Sequence, residues 1–306
     1  MGKNPILFYS VIVCLQMLNC TKEERPEPTL PKWCTGDLAW SPDGSTIAFM
    51  YTPVKWDTFF NEYDFIIDST GFWFINADGS NLRMFMHYAF FSPDYHPNGD
   101  SIIAGGCLIN VIDTIVIPRS WVKSNPRYNP DGSKIVYACY YSDSGGIWMV
   151  NADGTDLHPV LRAGWKADWS PDGKELVCMV YPFQPTPLVI ADTNGTILKE
   201  LPLPLTYSAG PIFSVPSFSP DGSKLLFEYR TDSLCENYNV YVINRDGSGL
   251  KRLTDDGGVY PVWSPDGSKI AYVKYDYWGS EEAGDGQLWV MNADGTGKRQ
   301  LTFVRE

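Results

Sequence analysis

Trp40-Ser-Pro-Asp-Gly44 is a phrase that recurs at Trp169-Ser-Pro-Asp-Gly173, Phe218-Ser-Pro-Asp-Gly222 and Trp263-Ser-Pro-Asp-Gly267. Two variants join the set: Tyr128-Asn-Pro-Asp-Gly132, and Phe91-Ser-Pro-Asp-Tyr-His-Pro-Asn-Gly99, which we interpret as carrying an insertion before its glycine. Successive glycines are 55, 33, 41, 49 and 45 residues apart, close to the length of one four-stranded propeller blade. The spacing therefore predicts six repeated units.

A second phrase follows most copies of the first. It stands at Phe74-Ile-Asn-Ala-Asp-Gly79, Met149-Val-Asn-Ala-Asp-Gly154, Ile190-Ala-Asp-Thr-Asn-Gly195, Val242-Ile-Asn-Arg-Asp-Gly247 and Val290-Met-Asn-Ala-Asp-Gly295. Asn or Ser at the first turn position, Pro or Ala at the next, and Gly at the end suit tight hairpin turns. We therefore expect two turns in each unit, except in unit two, which lacks the second phrase between Gly99 and Asn125.

The segments between the turns are rich in β-branched and aromatic residues, as in 134–138 and 269–273. Each unit thus contains four strands, a to d. The sequence predicts an all-β fold, a six-bladed β-propeller of four-stranded antiparallel blades. Two ways to close the ring stay open: side-chain packing between the first and last blades, or addition of 30–34 to the last blade beside 299–302.

These paired phrases resemble the repeats of the TolB-like propeller family over about residues 33–306. The resemblance implies the propeller alone. TolB itself carries an α/β domain before its propeller, and related propellers are attached to prolyl-peptidase-like hydrolases. We expect neither of those domains here, and the resemblance does not extend to a role in envelope maintenance.

The amino terminus has the pattern of an export signal. The apolar run 6–18 is too short to span a bilayer and suits a signal-peptide core. It ends at Met17-Leu18-Asn19-Cys20, which resembles the lipobox of bacterial lipoproteins, although Asn19 stands where that family has a small residue. We therefore expect a signal peptide over 1–20 with lipidation of Cys20, a flexible tether over 21–32, and a propeller over 33–306.

Charge and cysteine content limit the partners. A net charge of −12 and a pI near 4.7 disfavour nucleic acid. Outside the leader, five of the seven cysteines remain, an odd number without a CxxC pair, so neither a disulfide framework nor a zinc site is indicated. We expect an exported monomer, lipid-anchored or periplasmic in a bacterial envelope, that meets the membrane only through its anchor.

Catalytic motifs are absent from the sequence. It has three histidines, in separate repeat contexts, and lacks HExxH, GxSxG and P-loop patterns. The Asn-Ala-Asp-Gly phrase has an apolar residue where a calcium loop needs its first oxygen ligand, so we interpret it as a turn. We therefore predict no catalytic residue, metal site or cofactor.

Two sets of residues are candidates for binding. The a–b and c–d turns should lie on one face, so the variable b–c and d–a loops form the other, which we call the loop face. Aromatic residues of these loops are candidate anchors for a protein or a glycan: Trp56, Phe59, Phe60, Tyr63, Tyr277 and Trp278. Residues that open strand a could line a central funnel and hold a small polar ligand: Asp37, Tyr88, Asn125, Lys166, Val215 and Tyr260.

The sequence thus favours a non-catalytic binding or scaffold protein of the envelope that uses the loop face. The alternative is an envelope carbohydrate lyase or hydrolase with its site at the funnel mouth. A pocket in which Arg, Tyr and carboxylates converge would favour the enzyme, whereas a flat aromatic surface would favour binding.

Overall fold

The computed structural model describes residues 32–57, 62–65, 71–87, 92–119, 122–139, 145–162, 164–180, 188–201, 203, 216–229, 238–275 and 286–302. Side chains are described in these ranges except at 32–36, 52–57, 62–65 and 275. In this part of the chain, no helix is long and apolar enough to cross a membrane. All regular elements described are strands, as the sequence predicts.

The strands form six antiparallel blades in chain order. Blades 1 and 2 contain β1 Lys32–Trp40, β2 Thr46–Asp57, β3 Glu62–Phe65, β4 Gly71–Asn76, β5 Arg83–Met86, β6 Asp94–Tyr95, β7 Ser101–Ala104, β8 Cys107–Asn110 and β9 Val116–Pro118. Blades 3 and 4 contain β10 Ser124–Tyr128, β11 Lys134–Cys139, β12 Gly146–Asn151, β13 His158–Leu161, β14 Gly164–Trp169, β15 Glu175–Val180, β16 Leu188–Asp192 and β17 Ile197–Leu201. Blades 5 and 6 contain β18 Ser217–Phe218, β19 Lys224–Tyr229, β20 Asn239–Asn244, β21 Lys251–Arg252, β22 Val259–Trp263, β23 Lys269–Tyr275, β24 Gly286–Asn292 and β25 Arg299–Gln300.

Both recurring phrases form the predicted turns. In the first, the Gly44 N–H donates to the Ser41 carbonyl at 2.8 Å, and Asp43 accepts the backbone N–H of Ser45 at 3.0 Å. In the second, the Gly79 N–H donates to the Asn76 carbonyl at 2.8 Å. Gly44 has a φ of 70° and Gly79 a φ of 88°, a backbone region that glycine occupies without a steric penalty.

Blade 2 corrects one interpretation of the sequence. The His96 N–H donates to the Ser101 carbonyl, and the Gly99 N–H donates to the His96 carbonyl, as in the turns of the other blades. The copy of the phrase is therefore Tyr95-His-Pro-Asn-Gly99, without an insertion, and the interpretation of Phe91 as its aromatic residue is wrong. In the first strand of blade 2, the residues equivalent to those of the other blades therefore lie four residues later in the sequence than the Phe91 interpretation gave.

Among the described residues, blades 1 and 6 meet by packing, and no strand of one pairs with a strand of the other. The backbone of β1 pairs with β2, including Cys34 opposite Thr52, so the suggested addition of 30–34 to the last blade is wrong for its described residues. A shared core joins blade 1 to blade 6, with Leu38 and Ile47 packed in one cluster with Leu288. The Arg299 side chain of blade 6 donates to the carbonyls of Asp78 and Ala77 in blade 1, at 2.8 and 3.2 Å.

The turns form a continuous ring on one face. A Cβ placed on each first-turn glycine would meet a ring atom of the preceding blade within 4 Å, usually from its turn proline. Gly44 of blade 1 meets Pro265 of blade 6 in this way, and Gly267 meets Pro220. Pro42, Asp43, Gly44, Pro265 and Asp266 also line a groove of about 510 Å³ at the junction of blades 6 and 1, so this groove belongs to the turn face.

The long segment 52–70 is partly a hairpin and not entirely a loop. β2 continues to Asp57 and pairs with β3, which places Trp56 opposite Tyr63 in the register. Phe59 and Phe60 lie outside the described residues, as do Tyr277 and Trp278.

Candidate binding site in the central channel

The first strand of each blade lies nearest the propeller axis. These strands contact one another around the ring: β1 with β6, β6 with β10, β10 with β14, β14 with β18, and β22 with β1. Each runs from the loop face toward its turn, so residues before the turn aromatic line the channel in order of depth.

Two sets of repeat positions define the channel wall. The mouth ring stands three residues before the turn aromatic, nearer the loop face, and its described members are Asp37, Ser92, Asn125, Lys166 and Tyr260. The inner ring stands one residue before the aromatic and comprises Ala39, Asp94, Arg127, Asp168, Ser217 and Val262. Each ring thus has a different residue in almost every blade.

Hydrogen bonds join the mouth ring from blade to blade. Ser92 donates to Asp37 Oδ2 through its backbone N–H at 2.9 Å and its hydroxyl at 2.7 Å. The same hydroxyl lies 2.9 Å from Asn125 Oδ1. Ser92 and Asn125 are buried, and their bonds fix the polar groups of three neighbouring blades.

Three of the six described non-glycine residues with a positive φ lie in the mouth ring. Ser92, Asn125 and Tyr260 have φ values of 55°, 51° and 52°, a left-handed conformation that is uncommon for residues other than glycine. Register shifts at Asn125 and Tyr260 mark bulges in the same strands. Because such strain persists only where surrounding contacts hold it, and is frequent at functional sites, the mouth ring is the strongest candidate for binding.

A buried carboxylate supports the strained Tyr260. Glu228, fully buried in β19, accepts the backbone N–H of Tyr260 at 2.6 Å. In the equivalent position of blade 6 stands the buried, apolar Val273. Glu228 therefore replaces a core residue to hold the channel wall.

The inner ring concentrates charge in blades 2 to 4. Asp94 accepts the Tyr128 N–H at 2.6 Å, and burial raises its pKa to about 7, an effect that the charge of Arg127 opposes and the charge of Asp168 increases. Burial also raises the pKa of Asp168 to about 6, against the attraction of Arg127. The Arg127 guanidinium donates to the carbonyl of Pro126 at 2.8 Å.

Lys166 carries the positive charge of the mouth ring. Burial lowers the pKa of its ammonium group, while the carboxylates of Asp37 and Glu228 oppose that shift. Asp37 belongs to blade 1 and Glu228 to blade 5, on different sides of Lys166 in the ring. The ammonium group of Lys166 is therefore attracted by carboxylates of two other blades.

The turn aspartates accept hydrogen bonds within their own turns. Hydrogen bonds from Ser264 and then from Ser268 lower the pKa of Asp266 to about 2, and the equivalent serines do the same for Asp221. Asp43, Asp131 and Asp172 are likewise held by turn side chains and backbone N–H groups, which lower their pKa values. Among the described residues, no three His, Cys, Asp or Glu side chains form a group that could hold a metal ion.

The structure brings together four of the funnel residues that the sequence singled out: Asp37, Asn125, Lys166 and Tyr260. Tyr88 and Val215 lie outside the described residues, and the corrected register of blade 2 gives the position of Tyr88 to Ser92. Sequence reasoning missed Asp94, Arg127, Asp168 and Glu228. Glu228 had a visible signal, since it is the charged residue after the apolar run 225–227.

Comparison with known proteins agrees with this architecture. Residues 166–306 match the family described as TolB beta propeller domain. Dipeptidyl-peptidase 5 of Porphyromonas endodontalis is 35% identical over 93 residues, which are 29% of this chain and 13% of that protein. The chain therefore matches only a small part of this curated relative.

Two solved structures share the fold. TolB from Acinetobacter baumannii has a TM-score of 0.61 and 14% identity, covering 87% of this chain and 79% of that one. A putative TolB from Agrobacterium tumefaciens has a TM-score of 0.59 and 20% identity, covering 74% of this chain and 86% of that one. Together with the six blades and their turns, these matches show that the chain has a TolB-like six-bladed β-propeller fold.

Proposed function

We propose that the chain is a binding or scaffold protein of the bacterial envelope, which presents its loop face and channel mouth to a protein or a glycan. The observation that carries the proposal is the mouth ring: strained residues, hydrogen-bonded between blades, present different polar groups at equivalent positions. A rigid wall of this kind is organised before a ligand arrives, which reduces the entropy lost on binding.

The loop aromatics extend the same face. Trp56 and Tyr63 are register partners in the hairpin of β2 and β3, which projects from blade 1 beyond its b–c pairing. Aromatic residues in such a position supply large contact areas in protein and glycan recognition. We include Trp56, Tyr63, Tyr277 and Trp278 in the proposed surface.

Affinity capture from envelope extract with the full-length chain tests the surface. Two double variants, Trp56→Ala with Tyr63→Ala and Tyr277→Ala with Trp278→Ala, should each weaken capture at least tenfold without loss of thermal stability. The matched control is Lys174→Glu with Lys224→Glu, two exposed residues that follow first-turn glycines on the opposite face. Capture that survives the loop variants and fails in the control would refute the assignment.

The envelope location has a separate test. If Cys20 is lipidated, the wild-type protein fractionates with membranes and Cys20→Ala releases it or stops its processing. Mass spectrometry of the native amino terminus identifies the modification. An unmodified terminus downstream of Cys20 would show that ordinary signal peptidase processes the precursor.

A further inference from the structure

We propose that Asn98 is a site of spontaneous deamidation, activated by His96 and Asp100, and that the product weakens the first turn of blade 2. The sequence contains two Asn-Gly pairs, Asn98-Gly99 and Asn194-Gly195. A glycine after an asparagine leaves the backbone nitrogen accessible, because no side chain shields it. Both asparagines are exposed, and each stands at a turn position where the equivalent turns have aspartate.

The reaction uses the backbone and water. The Gly99 nitrogen forms a bond to Asn98 Cγ, the Cγ–Nδ2 bond breaks, and the proton of the attacking nitrogen leaves with the amide as ammonia. Water then opens the cyclic imide at either carbonyl, which gives aspartate or its isomer with the main chain through Cγ. The reaction needs an electrophilic Cγ. It also needs a turn that can open, since the Gly99 N–H donates to the His96 carbonyl at 2.8 Å.

Asp100 fixes the orientation of the Asn98 amide. Its ionised carboxylate only accepts hydrogen bonds, so the amide atom that lies 2.7 Å from Asp100 Oδ2 is Nδ2. Asn98 Oδ1 therefore faces the other way, where it accepts the Asp100 N–H at 3.2 Å and lies 2.5 Å from His96 Nδ1. Because Oδ1 only accepts, Nδ1 is the donor in this contact. The longer contact of the Asn98 N–H with Nδ1, at 3.3 Å, needs the other tautomer and is the weaker of the two.

Two donors at Oδ1 make Asn98 Cγ more electrophilic. Negative charge develops on this oxygen when the Gly99 nitrogen attacks, and donors that are already in place stabilise such charge. The His96 ring is held between blades: it meets the Tyr128 ring edge-on, with centroids 5.0 Å apart, and it packs against Gly132, where a Cβ would clash with Nε2. The activation therefore depends on the contact between blades 2 and 3.

Asn194 lacks both features. Within the part of the chain that the structure describes, no donor bonds to the side-chain oxygen of Asn194. A Cβ on Gly195 would clash with the Val160 carbonyl of blade 3, so opening this turn would disturb a contact between blades. Within 4 Å, a Cβ on Gly99 would meet only atoms of the Pro42 ring, at 3.9 and 4.0 Å. The turn of Gly99 therefore opens at a lower cost.

The product would place two carboxylates in one turn. An aspartate at position 98 has an oxygen where Nδ2 donates to Asp100, and like charges at that distance repel. Asn98→Asp should therefore lower the melting temperature by about 2 °C. Adding Asp100→Ser recreates the Asp-Gly-Ser of blades 1, 3, 5 and 6 and should restore it. An Asn98→Asp variant as stable as the wild type would refute the weakening of the turn.

Incubation of the folded, full-length wild-type chain at pH 8 tests the reaction itself. Peptide mapping by mass spectrometry follows both asparagines in one sample, so Asn194 is the internal control. Asn98 should react faster by about tenfold or more, because oriented donors act only there. In urea, which removes these contacts, the two rates should become similar. Equal rates in the folded chain, or a preference for Asn98 that persists in urea, would overturn the inference.

Variants separate activation from exposure. His96→Asn installs the residue of the equivalent position in blade 3, Asn129, and should slow conversion of Asn98 several-fold without changing that of Asn194. Asp100→Ser releases the amide and should also slow Asn98. The exposed His87→Asn is the matched control and should alter neither rate. Thermal unfolding checks that each variant folds, and if His96→Asn does not, Asp100→Ser decides. Unchanged conversion of Asn98 in the folded variants would refute activation by its neighbours.

Discussion

The turn face and the channel wall are built from the same repeat, only a few residues apart, but they use it in opposite ways. On the turn face, equivalent aspartates such as Asp43, Asp221 and Asp266 make the same hydrogen bonds to their own turn. On the channel wall, equivalent positions hold an alanine, two aspartates, an arginine, a serine and a valine. The turn positions, which stabilise every blade, hold the same type of residue. The positions that face the axis hold different residues from one blade to the next.

The largest expected effect concerns the aromatic residue between these two regions. Trp169 is 5% exposed, and its indole N–H donates to the Arg127 carbonyl of the preceding blade at 3.1 Å. Trp169→Ala should lower the free energy of unfolding by about 3–5 kcal/mol, because it leaves a cavity between blades. Denaturant unfolding measures this loss of stability. Trp165→Ala, on the same strand but 37% exposed, is the control and should cost about 1 kcal/mol or less; equal losses would remove the distinction between the two positions.

Asp94 tests the channel wall. Its pKa is about 7 in the folded protein and 3.8 in the unfolded chain, so the folded state binds the proton more tightly and stability falls as the pH rises between these values. Asp94→Asn should therefore stabilise the protein at pH 8, on the order of 1–3 kcal/mol, with little effect at pH 4.

Unfolding curves at several pH values measure this difference. The exposed Asp100→Asn in the same blade is the control and should leave the pH profile unchanged. If Asp94→Asn instead lowers the stability at pH 8, the channel stabilises the charged carboxylate more than burial destabilises it.

Gly267 tests the turn face. Its φ of 69° strains any residue with a Cβ, so Gly267→Ala should cost about 1–2 kcal/mol. The next residue lies outside the positive-φ region, and Ser268→Ala loses only an exposed hydroxyl bond to Asp266, so it should cost about 0.5–1 kcal/mol. Thermal unfolding of the two variants compares them, and similar melting temperatures would show that the turn tolerates a Cβ.

The smallest effect is expected at Asp266. Its pKa is lowered to about 2, so its contribution is present above pH 4 and is lost as the pH falls toward 2. Because the carboxylate is exposed, water and salt screen it, and Asp266→Asn should cost less than about 1 kcal/mol at neutral pH. Acid-unfolding curves should converge for the two proteins near pH 2; a gap that persists there would contradict an ionic origin.

The sequence predicts the blades because the turn chemistry is local. The turns at Gly44 and Gly79 can be predicted from the Pro, Asn and Asp residues beside them. The strands between these turns can be predicted from their β-branched and aromatic residues. Blade 2 was misinterpreted because Phe91-Ser-Pro-Asp matches the residues of the phrase. The hydrogen bonds of the turn instead have a fixed position relative to Gly99.

The site was harder to predict than the fold. Asp37, Asn125, Lys166 and Tyr260 could be placed near the axis by counting from the turn aromatic, and the structure joins them there. Sequence reasoning did not identify Asp94, Arg127 and Asp168, because their place in the site depends on contacts between blades. A local sequence pattern does not encode such contacts. The loop aromatics stay a prediction.

The junction between blades 6 and 1 has a consequence for engineering. Within the described residues, every strand pairs inside its own blade, and the contact of Gly44 with Pro265 has the same form as that of Gly267 with Pro220. A circular permutation that opened the ring between blades 3 and 4 and linked blade 6 to blade 1 would therefore break no strand pairing. The new ends of such a permutant would lie between β13 and β14, a few residues from Lys166, where a reporter group could be attached at the channel mouth.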